Sequence, residues 1–286
     1  MQDTFSFMKR SKMLRRIERN TMKHFTLAAA LLSAVAIAPT ANAQSLNQFL
    51  DDIEVESTID TVSEYVFRGI SAGGSSIQPG TEFSVYGFSA GTTYTAGFSE
   101  DSAAQPDVLD LFVGYQLPFE GPLQVDIGGT AYVFPQGNDA FDGSGGTVAT
   151  YEVDATVGLK DVFLSPSIFA AYDFTLDNFT IEGNISHTFD LPREGWSLDA
   201  RLNVGHVEVD EQRLVSTAGD FDNYQYGTAT LAANKVITDD ISFYVSGNFT
   251  ANTEDDTLNY DVDDFATNFR DSDTVFWLGT GLTVNY

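Results

Sequence analysis

The chain is 286 residues long, sets 14 Lys and Arg against 41 Asp and Glu for a formal net charge of −27, and contains no cysteine. That charge balance excludes a basic surface for nucleic acid or anionic headgroups, and the missing thiols exclude disulfide frameworks, thiolate metal sites and cysteine nucleophiles. No linker-like change of composition divides the sequence, so one folded domain is expected.

The first 43 residues have the layout of a secretory signal peptide: basic Lys23 and His24, an apolar run over 25–38, and Ala41-Asn42-Ala43 before Gln44. Such a run is too short to cross a bilayer as a helix, which needs about 20 residues. Cleavage after Ala43 is expected, with residues 1–21 either an extended basic leader or upstream of a start at Met22. Residues 44–286 then carry 7 basic and 39 acidic side chains, a net charge of −32.

From there on, the pattern is alternation with a period of two, with turn residues between the runs and no sustained helical period. The first run, 53–69, places Ile53, Val55, Ile59, Tyr65 and Phe67 on one face and Glu54, Glu56, Asp60, Glu64 and Arg68 on the other. A Gly/Ser-rich loop over 70–80 follows, then runs at 81–88, where Glu82 lies opposite Phe83, and at 92–99, joined by a turn near Ala90-Gly91. Next come 108–117, with Asp110 opposite Leu109 and Leu111, and 123–134, with Asp126 opposite Val125 and Ile127. The run 148–159 sets Glu152 and Asp154 against Tyr151 and Val153, and 162–174 follows it. In 179–189, Glu182 opposes Ile181; in 196–208, Asp199 and Arg201 oppose Leu198 and Leu202. The run at 223–234 is the least regular, 240–250 is clear, and 275–286 closes the chain with Phe276, Leu278, Leu282, Val284 and Tyr286 on one face.

These twelve runs are joined by alternating long and short connections, with "TLDN" at 175–178 as the exception. An all-β, antiparallel up-and-down transmembrane barrel with short periplasmic turns and longer external loops has this rhythm. Ten or fourteen strands are alternatives, because 223–234 is irregular and 251–273 has room for more. Alternation alone does not say which face is inside, since a soluble barrel buries the stripe that a membrane barrel shows to lipid. Unequal connections, aromatics near strand ends such as Tyr65, Phe67 and Phe276, and the last strand favour lipid. A final strand of alternating apolar residues ending on Tyr286 resembles the C-terminal signal read by the barrel-assembly machinery of bacterial outer membranes.

With the apolar face outward, Glu54, Glu56, Asp60, Glu64, Glu82, Asp110, Asp126, Glu152, Asp154, Glu182 and Asp199 line a lumen, against Arg68 and Arg201. Rings of carboxylates attract cations, so a conducting lumen is expected to favour small cationic or neutral solutes. The blander expectation is that these carboxylates pair with Arg68 and Arg201, hold water or have raised pKa values inside a plugged barrel. The stretch Tyr65-Val66-Phe67-Arg68-Gly69-Ile70-Ser71 resembles the first-strand motif of the TorF family of small bacterial outer-membrane porins, although Ala72 stands where that family usually has Gln. The resemblance implies a porin-like barrel in a Gram-negative outer membrane, among outer-membrane lipids and lipopolysaccharide.

An enzyme reading finds little support. Only His187 and His206 remain after cleavage, the first on the apolar face beside Ile185 and Phe189, so no catalytic site, cofactor or transition-metal site is expected. The acidic stretch 251–273 lacks the Gly and Glu spacing of an EF-hand, and a solvated external loop is expected, with divalent bridging to lipopolysaccharide phosphates as the alternative. The reading is thus a porin for passive diffusion. Its alternatives are a non-conducting structural or adhesive surface barrel acting through its loops, and a soluble periplasmic barrel.

Overall fold

The computed structural model describes residues 52–98, 107–135, 149–209, 223–253, 259–262, 265–268 and 273–286. The expected signal peptide at 1–43 and most of the acidic stretch 251–273 lie outside the described residues. In chain order the strands are β1 (Glu54–Val62), β2 (Tyr65–Phe67), β3 (Ile70–Gly73), β4 (Ser76–Val85), β5 (Phe88–Gly97), β6 (Val108–Gln116), β7 (Leu123–Val133) and β8 (Ala149–Leu159). They continue as β9 (Ser167–Asp173), β10 (Asn178–Asp190), β11 (Trp196–Glu208), β12 (Tyr224–Val236), β13 (Ile241–Asn252), β14 (Asn259–Val262), β15 (Phe265–Asn268) and β16 (Thr274–Asn285).

Twelve of these close into one antiparallel barrel, and the pairs β2–β3 and β14–β15 stand apart as two-stranded sheets. Closure runs through β1, which has β4 on one side and β16 on the other: Asp60 faces Gln78 in one register and Gly281 in the other. With no open edge, every wall strand has a neighbour for each row of its backbone donors and acceptors, the condition for crossing hydrocarbon.

The apolar face points outward on every wall strand. Ile59, Phe83, Phe88, Val113, Ile127, Val153, Ile168, Ile181, Val204, Leu231, Val245 and Leu278, one from each, are between 42% and 59% exposed, while inward Thr95, Thr180 and Thr250 are at most 2% exposed. A water-soluble barrel has the reverse pattern. His187 belongs to the outer face, edge-on to Phe189 at 4.6 Å and Phe163 at 5.2 Å.

The first expected strand is corrected by the structure. It ends at Val62, and residues 65–73 fold back as the β2–β3 hairpin, so Glu64 and Arg68 leave the wall and Tyr65 and Phe67 do not join an interfacial girdle. The hairpin turns through Arg68 (φ 47°) and Gly69 (φ 84°), the two consecutive positive φ values of a type I′ turn. Next along the chain, 76–80 joins a wall strand despite its Ser, Pro and Gly, and the turn expected near Ala90-Gly91 lies at Tyr86 (φ 50°) and Gly87 (φ 84°). Both turns use a bulky residue before Gly, so neither carries the Asn-Gly or Asp-Gly mark by which such turns are read. The irregular run at 223–234 is a full wall strand, β12, paired over its length with β11 and β13.

An arginine on the outward face at mid-strand must be buried in lipid, whereas one residue away it meets the lumen. Leu231→Arg is therefore expected to destabilise the barrel in lipid vesicles by about 2–4 kcal/mol, and Thr230→Arg by much less. Denaturant unfolding of both variants in the same vesicles checks the difference.

Candidate functional site

The register fixes the inner face strand by strand. Glu56 lies opposite Glu82 across β1–β4, Gln116 opposite Asp126 across β6–β7, and Asp154 opposite Gly128 across β7–β8. Glu54, Asp60, Asp110, Glu152, Glu182, Asp199 and Arg201 share that inward parity, so eleven of the thirteen side chains expected in the lumen, all but Glu64 and Arg68, sit on the wall's inner face.

Their partners are mostly amides and phenols rather than arginines. Gln116 and Gln124 each donate to Asp126 at 3.2 and 2.8 Å, Asn234 donates to Asp199 at 2.8 Å, and the Tyr244 hydroxyl bonds to Asp60. A Cβ at Gly281 would strike both Asp60 and the Tyr244 ring, so this glycine makes the space in which the two meet. Among the described residues the only salt bridge is Arg68–Glu152, and Arg201 is exposed without a carboxylate partner. Of the pairing expected with the two arginines, Arg68 makes one bond, to Glu152, and Arg201 makes none with a carboxylate among the described residues.

Charge and polarity are unevenly distributed around the wall. Carboxylates populate β1, β4 and β6 to β11, whereas β12 and β13 carry a ladder of neutral groups, with Thr228 on Thr250 at 2.9 Å and Thr230 donating to Asn248 at 2.8 Å.

The hairpin 65–73 crosses this lumen at the end that carries the long connections. It leaves the wall between β1 and β4, and its tip reaches strands on the far side. Arg68 Nη2 donates to Glu152 Oε2 of β8 at 2.5 Å, and the Tyr132 hydroxyl of β7 donates to Oε1 of the same carboxylate at 3.2 Å. Phe67 stands edge-on to Tyr132 at 5.8 Å, with the Arg68 guanidinium 4.8 Å from the Phe67 ring centre. On the other flank Asn252 Nδ2 of β13 donates to the Gly69 carbonyl at 2.9 Å, and Ile70 is buried against Val207, Val209, Tyr224 and Tyr226. Tyr226 is itself fixed, donating to Glu182 Oε2 at 2.6 Å beside Asn203, which donates to the same oxygen at 2.7 Å. Glu64 accepts a hydrogen bond from Ser71 at the hairpin's base.

Tyr132, Asn203, Tyr226 and Asn252 are parts of this site that charge counting does not find. The sequence does hold a signal for them in its glycines: side chains added at Gly69 or Gly205 would run into the Tyr226 ring, so both glycines mark a close approach.

A closed antiparallel barrel with an apolar outer belt, a polar lumen and a hairpin across its mouth is an outer-membrane β-barrel. The chain belongs to Gcw_chp, a family of bacterial proteins of unknown function, whose model matches residues 51–280. No curated protein matches it. Among solved structures it is similar to a KdgM porin in complex with disordered oligogalacturonate (9% identity, TM-score 0.48, covering 81% of this chain and 98% of that one). It is also similar to LpxR from Salmonella typhimurium (11%, 0.45, 80% and 99%) and to an outer membrane channel from Pseudomonas putida F1 (13%, 0.43, 82% and 94%). Identities this low leave solute and mechanism to this chain's own residues.

Gly69→Ala adds a side chain at positive φ directly against Tyr226, and is expected to undock the hairpin at a cost of about 1–3 kcal/mol while leaving the wall closed. Faster protease cleavage within residues 63–75, with unchanged heat-modifiable gel migration, is the expected outcome.

Proposed function

We propose that this barrel is a porin-like channel for passive diffusion of small solutes, with a preference for cations. The observation that carries the reading is the closed wall whose inward carboxylates, from Glu54 and Glu56 through Glu82, Asp126, Asp154 and Asp199, outnumber the inward wall cation Arg201. In a water-filled lumen of low-dielectric wall such rings raise the local concentration of cations and repel anions. The likeness of residues 65–71 to the TorF motif supports the same reading. So does the exposed apolar outer face, which suits lipopolysaccharide and phospholipid as the surrounding partners.

One observation favours the second reading, a surface barrel that does not conduct and works through its external loops: the hairpin spans the mouth, and Ser71 within it and Ser76, Thr95, Thr180 and Thr250 on the wall are almost wholly buried. Single-channel current through the refolded protein in a planar bilayer under a salt gradient separates the two. Discrete steps with a reversal potential on the cation side are expected, and the combination Glu82→Gln, Asp126→Asn and Asp154→Asn is expected to lower the cation-to-anion permeability ratio about twofold or more. A folded, inserted protein that passes no current under any condition moves the function to the loops.

A further inference from the structure

The hairpin's attachments divide sharply by strength. Within itself it is a hydrogen-bonded pair, but β2 and β3 pair with no wall strand. Among the described residues the hairpin is held by the Arg68–Glu152 ion pair, the Asn252 bond to the Gly69 carbonyl, the Phe67–Tyr132 contact, a Tyr65–Thr95 hydrogen bond and the packing of Ile70 in one cluster. Elements joined to the rest by side-chain contacts, with no strand pairing to the wall, are the ones that open below the stability of the whole. At the base Ser75 is tied to Ser63 and Phe98 beside the wall, so a hinge falls at Gly73-Gly74, where a Cβ at Gly74 would meet nothing within 4 Å.

The charges beneath the tip indicate what would open it. Glu152 is 5% exposed, lies opposite Asp173 in the β8–β9 register, and has Asp154 two residues along on the same face. With Arg68 removed, these three carboxylates share one patch of wall with no compensating cation among the described residues. A buried carboxylate left without its partner is costly, so the tip leaves easily only when another cation takes its place. A group able to do that has the chemistry of Arg68 itself: a positive charge with N–H donors.

We propose that residues 65–73 form a displaceable strap that filters what crosses the barrel, held shut by Arg68 on Glu152 and released by solutes whose ammonium or guanidinium group replaces Arg68 there. The inference rests on the porin reading and adds to it the class of solute and the point of selection. Metal cations at the same ionic strength lack the N–H donors and release the strap poorly.

Methylguanidinium is the probe, with potassium at matched ionic strength as control, in single-channel recordings of the refolded protein. Methylguanidinium is expected to raise the open probability of the unaltered protein. Arg68→Gln and Glu152→Gln are each expected to raise it about tenfold without the probe, the shift produced by removing one charge-assisted bond from a two-state equilibrium, and to abolish the response. The exchanged pair Arg68→Glu with Glu152→Arg is expected to restore closure and to open with acetate instead, a reversal that a merely structural role for the pair would not produce. Heat-modifiable migration confirms that each variant is folded. Single variants that conduct like the parent, or a parent that answers potassium as it answers methylguanidinium, overturn the strap while leaving the porin reading in place. A folded barrel with residues 65–73 replaced by a short Gly-Ser link that still passes no current overturns the porin reading, and the strap with it.

Discussion

The whole molecule depends on one constraint: in hydrocarbon, a backbone N–H or C=O without a partner has no water to turn to, at a cost of several kcal/mol for each group. A sheet satisfies this only by closing on itself. The pairing of β1 with β16, from Glu56 against Asn285 to Val62 against Gly279, is therefore the condition for the other eleven strand contacts to exist in a membrane. Once closure is given, the period of two assigns every side chain to lipid or lumen, and the choice of face follows from solvation: Leu, Ile, Val and Phe gain in lipid what Glu, Asp, Asn and Thr gain in a wet interior.

Closure also frees the lumen from the need to pack. A soluble barrel fills its interior with apolar side chains, whereas here the interior holds carboxylates bridged to amides and phenols, as in Asp126 with Gln116 and Gln124 or Glu182 with Asn203 and Tyr226. These bonds fix where the carboxylates sit on the wall. Among the described residues the one buried ion pair joins Glu152 to a residue that is not on the wall.

The wall was legible in the sequence and the hairpin was not, for a physical reason. Alternation reports which side of a strand a residue occupies, and Glu54 through Asp60 or Asp126 with Ile127 keep that relation throughout. Alternation does not report where a strand doubles back, because a two-residue turn preserves the period of two on both of its arms. Glu64 and Arg68 therefore continue the polar face in the sequence while leaving the wall in space. The positive φ at Arg68 and at Tyr86 lies on residues without the short polar side chain that normally advertises it, which displaced the reading of both turns. Which carboxylate Arg68 would choose was equally hidden, since its partner is 84 positions away and depends on how the sheet curls.

That separation has a consequence for the order in which the molecule is made. Apart from the closing β1–β16 pair, neighbouring wall strands follow one another along the chain and can zip in sequence, but the hairpin tip binds Glu152 and Asn252, 84 and 183 positions from Arg68 and Gly69. Loops of this length close late, after the intervening elements have found one another. Although it is encoded near the start of the wall, the hairpin has no docking surface until β8 and β13 stand on opposite sides of a finished cylinder. Its seating is thus a chronological marker: a chain with Arg68 on Glu152 and Asn252 on Gly69 is one whose barrel has already been completed.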